Sequence, residues 1–151
     1  MGDLSEHFSR WEFTCSDNCG ANMPDMYLVE CLEELRAKLN DYFNLEEEIK
    51  IHVNSGCRCD NRHREIYRQL KQAPNWNSQH LRRQGYKAAD IYAYYRDKNG
   101  KKIIIRRDKL AQCASRVKGF RKGGIGVYSW GIHVDVRGYT ARWGLKWRGG
   151  L

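Results

Sequence analysis

The sequence predicts an α+β domain, a small and largely antiparallel sheet flanked by helices, and three observations carry that prediction. Ile49-Lys50-Ile51-His52-Val53 and Gly131-Ile132-His133-Val134-Asp135-Val136 alternate apolar and polar side chains, the period of a half-buried strand. Leu28, Cys31, Leu32, Leu35 and Leu39 instead recur at helical spacing. Asp97-Lys98-Asn99-Gly100 stands between two strand-like runs, and Asn-Gly there marks a hairpin, which joins its strands antiparallel. At 151 residues and 41% apolar side chains, the chain can fill one core, so residues 1–151 read as a single domain.

The elements follow in order. Leu4 to Phe13 reads as a docking segment anchored by Leu4, Phe8, Trp11 and Phe13, and residues 16–25 as polar turns. Asp25 is placed to cap a helix over Met26 to Phe43. After the strand at Ile49–Val53 the chain breaks at Ser55-Gly56. An amphipathic helix over Asn61 to Gln72 must stop before Pro74, since proline disfavours helix in the residue preceding it. Strands are expected over Ala88–Arg96 and Lys101–Arg106. Asp108 then caps a helix over Lys109–Lys118 that buries Leu110, Cys113 and Val117. Lys122-Gly123-Gly124-Ile125-Gly126 reads as a flexible rim, and no Gly-Lys-Ser/Thr follows to make it a phosphate loop. Strands around Ile132–Arg137 and Thr140–Trp147 close the chain.

Charge is distributed unevenly. Residues 1–50 carry 12 acidic and 4 basic side chains, whereas residues 51–151 carry 6 acidic and 23 basic. A surface of that sign favours a polyanion, whether nucleic acid, an anionic cell-wall polymer or a peptide with free carboxylates. No reading helix or paired zinc-finger spacing supports the nucleic-acid alternative. Runs of about 18 apolar residues are missing, so no membrane span is expected. Met1 to Trp11 lacks a secretory pattern, which predicts synthesis in the cytoplasm and action after release. The six cysteines include Cys15-x3-Cys19 and Cys57-x-Cys59, spacings that predict buried thiols or disulfides, with a second structural zinc as the alternative.

His133 and Asp135 lie two apart and therefore on one face of their strand, with Ile132, Val134 and Val136 packing behind. The plain alternative is a hydrogen-bonded pair in a binding groove. His80 follows the polar segment Asn75-Trp76-Asn77-Ser78, and Asp90 enters an otherwise apolar strand after Ala88-Ala89. A carboxylate at a core edge needs a cation or a salt bridge to an arginine. Two histidines and a carboxylate, His80, Asp90 and His133, suit zinc with one position open for water. Arg58 and Arg137 are forks suited to a carboxylate, with plain surface solvation the alternative for Arg137. His7, His52 and His63 are weaker candidates as ligands.

A series of motifs resembles the D-alanyl-D-alanine carboxypeptidase and murein endopeptidase family of zinc peptidases. It runs through Leu4-Ser5-Glu6-His7-Phe8, Glu12-Phe13-x-Cys15, Ser55-Gly56-Cys57-Arg58-Cys59, Ser78-Gln79-His80-Leu81, Gly85, Ala88-Ala89-Asp90-Ile91, Gly124-Ile125-Gly126-x-Tyr128, His133-Val134-Asp135-Val136-Arg137-Gly138 and Ala141-Arg142-Trp143. The resemblance implies a hedgehog/DD-peptidase-like fold, zinc on His80, Asp90 and His133, and a peptidoglycan stem-peptide or cross-link amide as substrate. It also implies that Arg58 holds a carboxylate or developing charge and that Ser78 contributes a hydroxyl to the substrate pocket. Arg137 joins these as a second carboxylate anchor, and a phage endolysin is the expected setting.

Two departures matter. His80 and Asp90 are ten apart, so Arg82-Arg83-Gln84 read as an insertion. An odd shift in strand register there turns Asp90 away from the site. Many members place an acid three residues before the last ligand histidine, where this chain has Trp130, so Asp135 is expected as general base or as a residue orienting a ligand histidine. The alternatives are an inactive cell-wall-binding relative, a basic nucleic-acid-binding domain, and a hedgehog-like zinc fold with another ligand.

Overall fold

Helix α1 spans Met26–Phe43 because Asp25 accepts the N–H groups of Tyr27 and Leu28 at its start, and Asn44 ends it in the left-handed conformation. The computed structural model describes residues 1–145. After α1 come β1 (Lys50–Ser55), α2 (Asp60–Gln69), β2 (Ala88–Arg96) and β3 (Lys102–Ile104). Next are α3 (Arg107–Ala114), α4 (Lys118–Arg121), β4 (Gly124–Tyr128), β5 (Gly131–Asp135) and β6 (Ala141–Gly144). Lys146 and Trp147, expected at the end of the last strand, lie outside the described residues.

The strands form one open, mixed sheet in the order β1-β2-β5-β4-β6, with β3 paired to the far end of β2. Every pairing is antiparallel except β4 with β6. Helices α1, α3 and α4 cover one face. Ala89, Ile91, Ile132 and Val134 point into that layer with Leu28, Leu32, Leu35 and Phe120. By the period of two, Asp90, His133 and Asp135 stand on the opposite face. Asp90 lies directly across from His133 in the β2–β5 ladder. A register irregularity between Val53 and Ser55 on β1 bends the chain out beside Asp90.

Several expectations need correction. Helix α2 ends at Gln69 rather than Gln72, with Lys71 in left-handed backbone at φ 56°, and β3 is shorter than the expected Lys101–Arg106. Gly124 and Gly126 belong to β4 and are buried, where a rim loop was expected. A Cβ at Gly124 would collide with the Asp135 carboxylate, and one at Gly126 with the Trp143 indole. The helix expected over Lys109–Lys118 is two shorter ones, and α3 starts ahead of Asp108, with Arg106 at its N-cap. Asp108 sits in the first turn and pairs with Arg106 at 2.7 Å, where the positive end of the helix favours its charge. In the N-terminal segment Phe8 and Phe13 are buried as expected, but Trp11 is exposed.

That segment is fastened to α1 through Glu33. Ser5 Oγ donates to Glu33 Oε2 at 2.6 Å, the His7 amide donates to the same oxygen at 2.8 Å, and His7 Nδ1 lies 2.7 Å from Oε1. Burial pushes the Glu33 carboxyl up, but these bonds outweigh it and hold the group below the ordinary glutamate range. Its contribution to stability is therefore complete above that range and fades as pH falls through the lowered value. Glu33→Gln is expected to cost about 1 kcal/mol in urea unfolding at neutral pH. The difference from the parent protein should shrink as the pH is lowered; an equal difference at every pH would refute the assignment.

Candidate metal centre

Three segments meet on the face of the sheet away from the helices. Asp90 Oδ1 lies 3.2 Å from His80 Nε2 and 3.0 Å from His133 Nδ1, and the three candidate ligand atoms are all within 4.8 Å of one another. Donor atoms around a tetrahedral zinc with bonds of about 2.0–2.1 Å sit roughly 3.3 Å apart, so this set fits such an ion. The centre opens on a cleft of about 600 Å³.

Each histidine is held by its other nitrogen. His80 Nδ1 lies 2.8 Å from the Gly56 carbonyl, which can only accept, so Nδ1 carries the proton and Nε2 presents a lone pair. His133 Nε2 lies 2.7 Å from Asp135 Oδ2, which assigns the proton to Nε2 and leaves the Nδ1 lone pair toward Asp90. With both imidazoles neutral, two lone pairs and a carboxylate oxygen face one another. That arrangement is repulsive until a cation shares it, either a metal ion or the proton of an imidazolium, and the outer acceptors are those that metal-binding histidines use.

Asp135 is fully buried on the far side of His133 from Asp90. Its Oδ1 accepts from the Gly124 amide at 2.9 Å, the Arg137 amide at 3.1 Å and Arg137 Nε at 2.9 Å. Its Oδ2 accepts from Arg137 Nη2 at 2.7 Å as well as from His133. Burial pushes the Asp135 carboxyl up, but hydrogen bonds from His133 and Arg137 hold it well below the ordinary range. Asp90 behaves alike, with burial opposed by the charge of His80 and by hydrogen bonds from both histidines. Burial lowers the His133 imidazole, yet hydrogen bonds to Asp135 and Asp90 leave it raised.

Arg82-Arg83-Gln84, read from the sequence as an insertion, leave Asp90 in register with His133. Arg82–Gln84 forms one short 3-10 turn, Gly85 closes it at φ +86°, and the Lys87 amide returns to the Gln79 carbonyl at 2.8 Å. These residues form a turn ahead of β2, and Asp90 faces both histidines.

Arg58 leaves the end of β1 and reaches the same cleft. His63 Nε2 donates to the Asn75 carbonyl at 2.8 Å, so its Nδ1 is an acceptor, 3.3 Å from Arg58 Nη1. Arg58 Nε is buried and has no hydrogen-bond partner among the described residues. That atom is sealed inside the cleft wall, while the residue itself lines the cleft, where a guanidinium suits an anionic acceptor. His63, completely buried, is the positioning residue that the sequence left among weak metal candidates. The available signal was its place in the first turns of a helix that begins two residues after Arg58.

Ser78 and Arg137 also line the cleft. Two donors of Arg137 are committed to Asp135, and its guanidinium lies 5.4 Å from the Tyr139 ring centroid and 5.2 Å from that of Trp143. Trp143 Nε1 donates to Tyr128 Oη at 2.6 Å, and Tyr128 stacks on Trp130 at 5.1 Å. His7 and His52 lie elsewhere, bound to Glu33 and stacked on Tyr92. A separate group of thiols, Cys15, Cys19 and Cys59, also comes together, which the spacings left undecided.

Among the described residues no helix is long and apolar enough to cross a membrane. Comparison with known proteins finds no matching family model, no matching curated protein and no matching solved structure.

Proposed function

We propose that the chain is a zinc-dependent peptidase of peptidoglycan, one domain over residues 1–151, cleaving a stem-peptide or cross-link amide. The observation that carries it is the convergence of His80 Nε2, Asp90 Oδ1 and His133 Nδ1, with the second nitrogen of each histidine held by an acceptor. The motif series and the basic charge of residues 51–151 support a wall substrate. A zinc ion held by His80, Asp90 and His133 supplies Lewis acidity toward a carbonyl oxygen and a nucleophile at neutral pH.

The remaining roles belong to this chain's own side chains. Arg58, held by His63, borders the cleft with a guanidinium suited to a substrate carboxylate. Tyr128 Oη already accepts from Trp143, which leaves its own proton for an oxygen in the cleft. Ser78 and Arg137 border the bound peptide. Asp135 holds the His133 ring and its tautomer rather than taking a proton from water, since five donors already occupy its oxygens. Asp135→Asn is then expected to weaken metal retention about 10–100-fold while leaving measurable turnover at saturating zinc. Complete loss of turnover with full metal occupancy would instead make it the base.

The setting proposed is a lytic enzyme acting on the wall after release from a cytoplasm or a virion. A second reading is a wall-binding domain without turnover. It is favoured by the cleft itself, which among the described residues Asp90 alone of the acidic side chains lines, while Trp130 stands where many members of the resembled family carry an acid. Purified peptidoglycan incubated with the zinc-loaded protein, with and without chelator, separates the two. Chelator-sensitive peptide fragments in mass spectra support the peptidase and identify its bond. Wall binding with no fragments refutes it in favour of the second reading.

A further inference from the structure

We infer that Cys15, Cys19 and Cys59 form a second metal centre that takes a soft divalent cation such as zinc and serves as a structural clasp. It is independent of the His80–Asp90–His133 centre and shares no residue with it.

The three sulfur atoms lie within 4.8 Å of one another although Cys59 is distant in sequence from the other two. Asn18 (φ 54°) and Gly20 (φ 82°) adopt left-handed backbone, and between them they curl the Cys15–Cys19 segment so that both thiols turn toward the start of α2. Cys59 is the N-cap of that helix, and its Sγ accepts the Arg62 amide at 3.4 Å. The Cys59 amide in turn points at Cys15 Sγ at 3.4 Å. Amide donors aimed at sulfur favour thiolate, the form that binds metal. The Cys59 thiol donates to Asp17 Oδ2 at 3.4 Å, and that carboxylate stands outside the three-sulfur group.

Three thiols around one point exceed what a disulfide can use, because a single bridge takes two sulfurs and strands the third. A tetrahedral cation uses all three, and thiolates select zinc over the harder magnesium and calcium. Cys15 is buried and Cys19 exposed, so the ion has a floor and an entry path. Cys57, one residue from Arg58, is buried and lies outside the group.

The clasp ties residues 15–19 to the loop between β1 and α2. That loop supplies the Gly56 carbonyl and Arg58, and the Cys57 amide within it donates to the Phe13 carbonyl at 2.9 Å. Closing this long connection with a metal restricts the unfolded chain and holds the loop in place.

The test uses the full chain, kept reduced and loaded with Co²⁺. Two ions per chain and a near-ultraviolet sulfur-to-cobalt charge-transfer band are expected, since histidine and aspartate ligands cannot produce that band. Cys19→Ala, at an exposed position, should lose the band and one ion, and Cys59→Ala should do the same. His133→Ala should lose the other ion and keep the band. No band in the reduced parent protein with excess cobalt overturns the proposal, as does a band that survives both cysteine variants. A disulfide between two of these cysteines in protein purified without reductant, with no metal taken up on reduction, also overturns it. If His133→Ala keeps both ions, the histidine centre fails while the thiolate centre stands.

Discussion

His133→Ala is expected to strip the histidine centre of its metal and to lower peptide hydrolysis by more than about 100-fold, beyond the 10–100-fold typical of losing an outer-shell partner. His133 contributes one of three protein donors, and its Nδ1 lies 3.0 Å from Asp90 Oδ1. Without it, His80 and Asp90 are two donors on separate segments. Zinc held by two such groups exchanges far more readily than zinc held by three. Elemental analysis after dialysis, with turnover of purified peptidoglycan and circular dichroism to verify folding, checks the expectation. His133→Gln, which keeps more of the side-chain volume, should behave alike. Normal activity in a folded variant would remove His133 from the centre.

Arg58→Ala is expected to lower kcat/KM about 10–100-fold on substrates with a free carboxylate near the cut bond, mostly through a raised KM. That range follows from the roughly 1.5–3 kcal/mol of a hydrogen bond to a charged group. The same peptide with its carboxylate amidated should barely distinguish the variant from the parent. Arg58→Lys should rescue little, because an ammonium cannot present the planar fork that His63 orients at 3.3 Å. A loss confined to kcat, equal on acid and amide substrates, would shift Arg58 from anchoring the substrate to stabilising charge in the transition state.

Local signals were sufficient where the physics is local. Asp25 as a cap and the spacing of Leu28, Leu32, Leu35 and Leu39 define α1 with the bounds Met26–Phe43. The alternation through Ala88–Arg96 defines β2 over the same residues. The alternation around His133 likewise places His133 and Asp135 on one face. β4 was hidden because Gly124 and Gly126 have no side chains to alternate. Their reason for being glycine is the close approach of Asp135 and Trp143 from neighbouring strands. The break between α3 and α4 was hidden too, because Val117 is buried either way.

The sequence by itself determined the α+β class, the candidate ligands His80, Asp90 and His133, and the basic charge of the segment that carries them. Tertiary structure alone decided that Arg82–Gln84 forms a turn that preserves the facing of Asp90. It likewise decided that Asp135 turns to His133 and Arg137 and that His63 supports Arg58. Three thiols, two of them distant from the third along the chain, also meet only there. The division has one cause. Helix caps and strand alternation arise between residues a few positions apart. Which lone pair meets which donor depends instead on distances between segments, which exist only once the sheet has paired and the loops have closed.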